Sequence, residues 1–232
     1  MSRGDTVMLE ALAHDVGAQA GRAAPAAIAE QLRRDILHGL AAGGTRMRQD
    51  AVASRFGVSQ NTAREAFRQL EAEGFLRSEP RRGVSVVPLT AGEAREITEL
   101  RVLLEVQALE WAIEAFDASK LKHAEAILEQ LDQAHTVDDI ISLNGAFHRT
   151  LYDAASRERA LGLIEMLRLN FERYLRLTWQ ETAHLVRSQQ QHRELLILCL
   201  QKDQVRAGAL LREHIWDTGQ LLIERLKKAS MG

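Results

Sequence analysis

The sequence predicts a mainly α chain in two parts: a small helical unit that closes in a β-hairpin, then an antiparallel all-α bundle of about six helices. Three observations carry that expectation. Between Gln49 and Glu73 two short amphipathic segments meet at Gly57. Two β-prone runs then flank the turn Glu79-Pro80-Arg81-Arg82-Gly83. Past Pro88, the last of the three prolines, helical apolar stripes repeat without strand-like alternation.

Composition sets the bounds. A chain of 232 residues with 46% hydrophobic side chains holds one large domain or two modest ones with real cores. The net charge is −2, yet it is unevenly spread: Pro25 to Leu89 carries about +3 (ten basic against seven acidic side chains), leaving about −5 elsewhere. Cys199 is the single cysteine, so no internal disulfide forms, and its setting in Leu195-Leu196-Ile197-Leu198-Cys199-Leu200 is that of a core thiol. No run approaches the roughly 20 apolar residues of a membrane span, and the N-terminus lacks a signal-peptide core. A cytoplasmic protein is expected, with no membrane partner. The expected organisation is an unassigned tail over 1–24, a first domain over 25–89 and a second over 90–232.

In the first domain, Val52 and Phe56 share a face of a short helix that Gly57 can leave at positive φ, and Val58 plugs the corner. Ser59 offers a cap to the next helix. There Ala63, Ala66, Phe67 and Leu70 recur at i, i+3, i+4 and i+7, leaving Asn61, Arg64, Glu65 and Arg68 outward. Gly74 closes that helix, and Phe75–Ser78 and Val84–Val87 form the hairpin. Two helices about a tight corner, followed by a basic hairpin, make a winged helix-turn-helix. Its second helix would enter the major groove of double-stranded DNA, with Gln60, Asn61, Thr62 and Arg64 at base edges. Arg48 and Arg68 join the contact set; Arg81, Arg82 and Gly83 at the wing approach the backbone. The helix alone would suit any amphipathic surface helix; two adjacent arginines at a hairpin tip are what a structural hairpin does not need.

These residues resemble a known family. Ala29 to Val87, with Val58-Ser59-Gln60-Asn61-Thr62-Ala63-Arg64-Glu65-Ala66-Phe67 at its centre, is similar to the winged-helix domain of GntR-type bacterial transcription regulators. The family pattern at the recognition helix is Val-Ser-Arg-Thr-Pro-Val-Arg-Glu-Ala-Leu. This chain keeps the Ser, Arg, Glu and Ala but has Gln60 where Arg is usual and Thr62 where Pro is usual. Glutamine suits adenine where arginine suits guanine, so the operator half-site is expected to depart from the family's at the base facing Gln60.

The second domain opens with the capping box Thr90-Ala91-Gly92-Glu93 and a helix to about Ala115. Further helices are expected over Leu121–Ala134, Val137–Ala155, Ala160–Thr178, Thr182–Gln201 and Gln204–Lys228, with caps at Thr136 and Asp203. His148, His192 and His214 lie on three of them, each beside apolar residues at helical spacing. Such histidines are either separately hydrogen-bonded in the core or converge on one ion, with Asn144, one turn before His148, as a fourth donor. Trp179, Trp216, Tyr174, Arg173 and Arg176 could line the cavity of such a site, but aromatics at helical spacing are more often simple core, so none is named as a ligand.

Thr90 to about Lys228 resembles the FCD effector domain that accompanies the FadR-type branch of the same family. That branch has an Asp, a His four residues on, and two more His about forty-four and twenty-two further, which together bind a divalent metal of the Zn or Ni type. His148, His192 and His214 match this spacing, while Asn144 stands where Asp is usual. Arg101 matches the arginine that grips an effector carboxylate; on physics alone an intrahelical pair with Glu105 on a solvated face is the better reading, and the resemblance brings the two level. The resemblance implies a homodimeric regulator, by default a repressor, that binds a pseudo-palindromic operator in the bacterial nucleoid and responds to a small organic acid. The rival from another class is a metal-dependent hydrolase, since three histidines with an open position can activate water. Glu194 and Glu213, on other helix faces, do not supply its base.

Overall fold

The computed structural model describes residues 24–178 and 182–229. They form two compact units that part between Pro88 and Leu89. The tail over 1–23 and Trp179 lie outside the described residues.

The first unit runs α1 (Ala24–Leu37), β1 (Arg46–Met47), α2 (Gln49–Phe56), α3 (Gln60–Ala72), β2 (Leu76–Glu79) and β3 (Gly83–Val86). The strands form an antiparallel sheet in the order β1-β3-β2. Ile28, Leu32 and Ile36 of α1 are buried with Val52 of α2 and with Ala63, Ala66, Phe67 and Leu70 of α3; Leu76 and Val86 are buried on the sheet. Phe56, expected to share the inward face with Val52, is only half-buried, and the Arg55 guanidinium lies 4.8 Å from its ring centre.

Both helices of the corner end by one device. Gly57 (φ 64°) and Gly74 (φ 80°) take the left-handed conformation. The next N–H then reaches back, Val58 to the Ala53 carbonyl at 3.0 Å and Phe75 to that of Leu70 at 2.9 Å. Glycine enters that region without the steric penalty a Cβ carries, and the last carbonyls gain partners. Ion pairs tie the elements: Arg55 meets the buried carboxylate of Asp35 at 2.7 Å, and Arg33 meets Glu73 at 2.6 Å.

The second unit has six helices, α4 (Ala91–Ala112), α5 (Ala118–Asp132), α6 (Val137–Tyr152), α7 (Glu158–Thr178), α8 (Thr182–Leu200) and α9 (Gln204–Ala229). Thr90, Thr136 and Asp203 each accept an N–H of the first turn at 3.1 Å, as their sequence context predicts. Two helices stop short of expectation in α form, because Ile113–Ala115 and Asp153–Ala155 tighten into 3-10 turns. α5 begins three residues earlier than Leu121, because Asp117 caps it at the Lys120 N–H.

α4 buries a broad face, with Ile97, Thr98, Val102, Val106 and Leu109 among its covered residues. It packs closely on α9: a Cβ on Gly219 would stand 2.3 Å from the Thr98 side chain. Lys202, at the turn between α8 and α9, donates to the carbonyls of Ile113 at 2.8 Å and Glu114 at 2.9 Å, and to that of Phe116, thereby capping the end of the α4 segment. Cys199 is fully buried, and burial pushes its thiol up to about 12, which makes it the inert core thiol expected. No described helix is long and apolar enough to cross a membrane.

Candidate functional site

In the first unit, Gln60, Asn61, Arg64 and Arg68 of α3 are exposed on one side while the opposite stripe is sealed. Ser59 receives the Thr62 N–H at 3.1 Å, and the two hydroxyls are 2.8 Å apart. Thr62 is thus engaged in the helix start, with a donor that the family's usual proline lacks. The Arg64 guanidinium donates to the Asn61 amide oxygen at 2.6 Å, and Arg48 makes a two-point pair with Asp50 at 2.6 and 3.1 Å. Arg48 holds the Asp50 carboxyl down at about 2.

The wing turn is closed by the Arg82 N–H donating to the Glu79 carbonyl at 3.0 Å. With Pro80 second and Arg81 third at φ 66°, it has the form of a type II turn. Arg81 therefore occupies a position that favours glycine, and it is exposed with Arg82 and Gly83. A Cβ on Gly83 would lie 3.4 Å from the Arg46 guanidinium, which crosses the wing root.

In the second unit, α6, α8 and α9 bring His148, His192 and His214 together, with donor atoms within 4.8 Å of one another and all three rings buried. The Nε2 atoms of His148 and His192 each lie 3.2 Å from Nε2 of His214. What stands behind each ring fixes its tautomer. His192 Nδ1 faces the Gln189 amide oxygen at 2.8 Å and His214 Nδ1 that of Gln191 at 3.0 Å, so both Nδ1 atoms donate. His148 Nδ1 faces the Tyr152 hydroxyl at 3.2 Å, whose own proton goes to Glu105 at 2.8 Å, so this Nδ1 also donates.

With these tautomers the three Nε2 atoms are left without protons, so the group could hold a metal ion. Bonds of about 2.0–2.1 Å at tetrahedral angles hold ligand atoms roughly 3.3 Å apart, close to the two separations of 3.2 Å from His214. Burial, reinforced for His148 by the nearby Arg168 cation and for His192 by its neighbour His214, keeps both rings well below the usual histidine range. They are neutral near pH 7, as ligation requires.

A cavity of about 50 Å³ adjoins the group, lined by Arg101, Asn144, His148, Arg168, Glu172 and His214 among others. Arg101 does pair with Glu105, Nε to Oε1 at 2.6 Å, but the pair is buried, not on a solvated face. The two readings of Arg101 therefore meet, since the paired guanidinium also lines the cavity and lies 4.7 Å from the Phe171 ring centre.

Comparison with known proteins follows this division. Residues 25–86 match the model of the bacterial regulatory proteins of the gntR family, and residues 96–217 match the FCD domain. The chain belongs to the GntR family. It is 35% identical to the HTH-type regulator YdhC of Bacillus subtilis over 67% of this chain and 72% of that one. It is 26% identical to the HTH-type repressor RspR of Escherichia coli over 82% and 84%. A crystal structure of a GntR regulator from Pseudomonas syringae, 33% identical, superposes with a TM-score of 0.52 over 89% and 88% of the chains. This GntR-family protein is a DNA-binding transcriptional regulator with an FCD domain of the FadR type, and not an enzyme.

The sequence pointed to Glu105 only as a partner of Arg101 on a solvated face, and it did not single out Arg168, Tyr152 or Glu172. Glu105, fully buried, is shared by Arg101 and by Arg168, whose Nη1 is 3.5 Å away. Burial alone would raise the Glu105 carboxyl, but the two guanidiniums outweigh it and hold it below its usual value. Arg168 is itself buried, and among the described residues its Nη1 has no hydrogen-bond partner. Tyr152 and Glu172 complete the set. A helical stripe carrying arginine among apolar neighbours, Ile164, Leu167, Arg168 and Phe171, was the available signal for Arg168.

Proposed function

We propose that this regulator is a homodimeric repressor whose FCD domain holds a divalent metal of the Zn or Ni type and a small carboxylate effector, and that effector binding relieves operator occupancy. The observation that carries this reading is the trio of neighbouring, unprotonated Nε2 atoms beside a cavity lined by the buried guanidiniums of Arg101 and Arg168. His148, His192 and His214 would hold the metal, with Asn144, which lines the cavity, as a fourth oxygen donor. A bound ion supplies a positive charge that an anionic ligand can share.

Two buried guanidiniums face one carboxylate in Glu105, and the hydrogen-bonding vacancy on Arg168 suits an anion's oxygen. Glu172 also lines the cavity, but its carboxyl, raised to about 7, carries only part of a charge near neutrality, so the balance favours an acid over a neutral sugar or a base. The cavity admits an acid of a few heavy atoms. Asn144 in place of a carboxylate removes one negative charge from the metal's surroundings, so a bound acid and the metal should favour one another.

A stripe of exposed apolar side chains on α4, Leu100, Leu103 and Trp111, supports association with a second copy. Two copies would set their α3 helices in successive major grooves of a pseudo-palindromic operator, with Gln60, Asn61 and Arg64 at base edges and Arg48, Arg68, Arg81, Arg82 and Gly83 at the backbone. RspR, named as a repressor, favours repression as the sign. The test is selection of bound duplexes from a random pool by the metal-loaded protein, repeated with a panel of small organic acids. A two-fold symmetric site released by one acid is the expected result; an operator indifferent to every acid and to chelation would overturn the effector reading.

A further inference from the structure

Behind the three histidines the supports are not alike. His192 and His214 rest on neutral amide oxygens of Gln189 and Gln191. The Gln189 behind His192 passes on to the exposed carboxylate of Asp132 at 2.9 Å, whereas His148 connects to a buried carboxylate that the cavity's guanidiniums share, again through an intermediary. Its Nδ1 is 4.0 Å from Glu105, beyond hydrogen-bond reach, and the Tyr152 hydroxyl fills the interval, 3.2 Å from the imidazole and 2.8 Å from the carboxylate. Glu105 is fully buried and Tyr152 is 1% exposed, so water does not screen this chain. The other oxygen of Glu105 takes the Arg101 Nε–H at 2.6 Å. One carboxylate thus has claims on it from both sides: two guanidiniums of the cavity, and a hydroxyl that leads to a metal ligand.

We propose that Glu105 and Tyr152 couple the two halves of the site, so that an anion bound at Arg101 and Arg168 strengthens the hold of His148 on the metal. This rests on the metal-and-carboxylate reading above. The sign follows from competition for the carboxylate. With the cavity free of anion, Arg101 and Arg168 draw the negative charge of Glu105 toward themselves. An incoming carboxylate takes part of their hydrogen-bonding capacity, and Glu105 accepts more strongly from the Tyr152 O–H. The hydroxyl oxygen, made richer in electrons, accepts more strongly from the His148 Nδ1–H, and the Nε2 lone pair becomes a better donor. No proton changes owner in any step. Tyr152 is a positioning residue that acts through His148.

The experiment titrates the metal-free, full-length protein with zinc, alone and in saturating acetate. Wild type should bind zinc more tightly in acetate. Tyr152→Phe removes one oxygen and leaves the ring; zinc affinity should fall about tenfold or more, the acetate effect should vanish, and the visible spectrum of bound cobalt should shift. Gln189→Ala serves as the contrast: it removes the support of His192, weakening zinc while the acetate effect persists. If Tyr152→Phe keeps both wild-type zinc affinity and the acetate enhancement, the coupling is wrong and the metal reading stands. Zinc binding without any acetate effect in wild type also overturns the coupling. If wild type binds no zinc, the metal reading itself fails. Should Tyr152→Phe not fold, Glu105→Gln removes the charge and keeps the acceptor, and an acetate effect that survives in it overturns the proposal.

Discussion

Single side chains already separate base reading from backbone contact. Arg64→Ala is expected to weaken the selected operator by about 1–3 kcal/mol and to relax preference at one position, whereas loss of Arg82 weakens all duplexes alike and flattens the salt dependence. Competition binding against operator and random duplex distinguishes the two. Gln60→Arg should shift the preferred base at one half-site position toward guanine, read by repeating the selection. Arg81 occupies its wing turn at φ 66°, so Arg81→Gly should leave the unfolding free energy equal or higher, by up to about 1 kcal/mol, while DNA affinity drops. Glu172 gives a pH signature. Burial raises its carboxyl to about 7, against the pull of Arg168. A folded-state value above the unfolded one means that the native state binds the extra proton, so stability declines as pH climbs from about 4.5 to 7. Glu172→Gln should therefore stabilise by roughly 1 to 3 kcal/mol at pH 8 and be near neutral at pH 5 in chemical denaturation.

The helices were largely legible because each carries its own period and its own cap, and the exceptions have local causes. Two residues, Arg46 and Met47, cannot display a strand's alternation, so β1 became visible only through its pairing with Ser85 and Val84. Ile28, Leu32 and Ile36 of α1 carried a readable stripe that was passed over beside the Ala-rich tail. The 3-10 turns after α4 and α6 are set by tertiary contacts, Lys202 reaching the Ile113 carbonyl among them. Contact between helices is what sequence period does not reveal, and Gly219 is the sharpest example. Gly219→Ala should destabilise the helical unit by about 1–3 kcal/mol or more through overpacking on Thr98. Thr98→Ala in the same chain should recover most of that loss, whereas simple additivity would mean that the two do not share the space.

Over the whole molecule the sequence disclosed the histidines but not what stands behind them, because Glu105, Arg168 and Tyr152 meet only when α4, α6 and α7 pack. Metal loading should register as folding free energy: zinc at about 100 times its dissociation constant adds about 2.7 kcal/mol to the native state. His148→Ala should lose that increment in a chelator-controlled melt. The uneven charge, about +3 over Pro25 to Leu89 against about −5 elsewhere, favours polyanion approach by the first unit alone, and strong salt dependence should follow. The 2.6 Å bond from Arg64 to Asn61 bears on how such a protein searches a genome. If Arg64 reads a base, that bond must first be given up, so a non-cognate base edge that cannot repay it would leave the guanidinium folded on its own helix; transit would then stay quick and arrest would be reserved for the correct address.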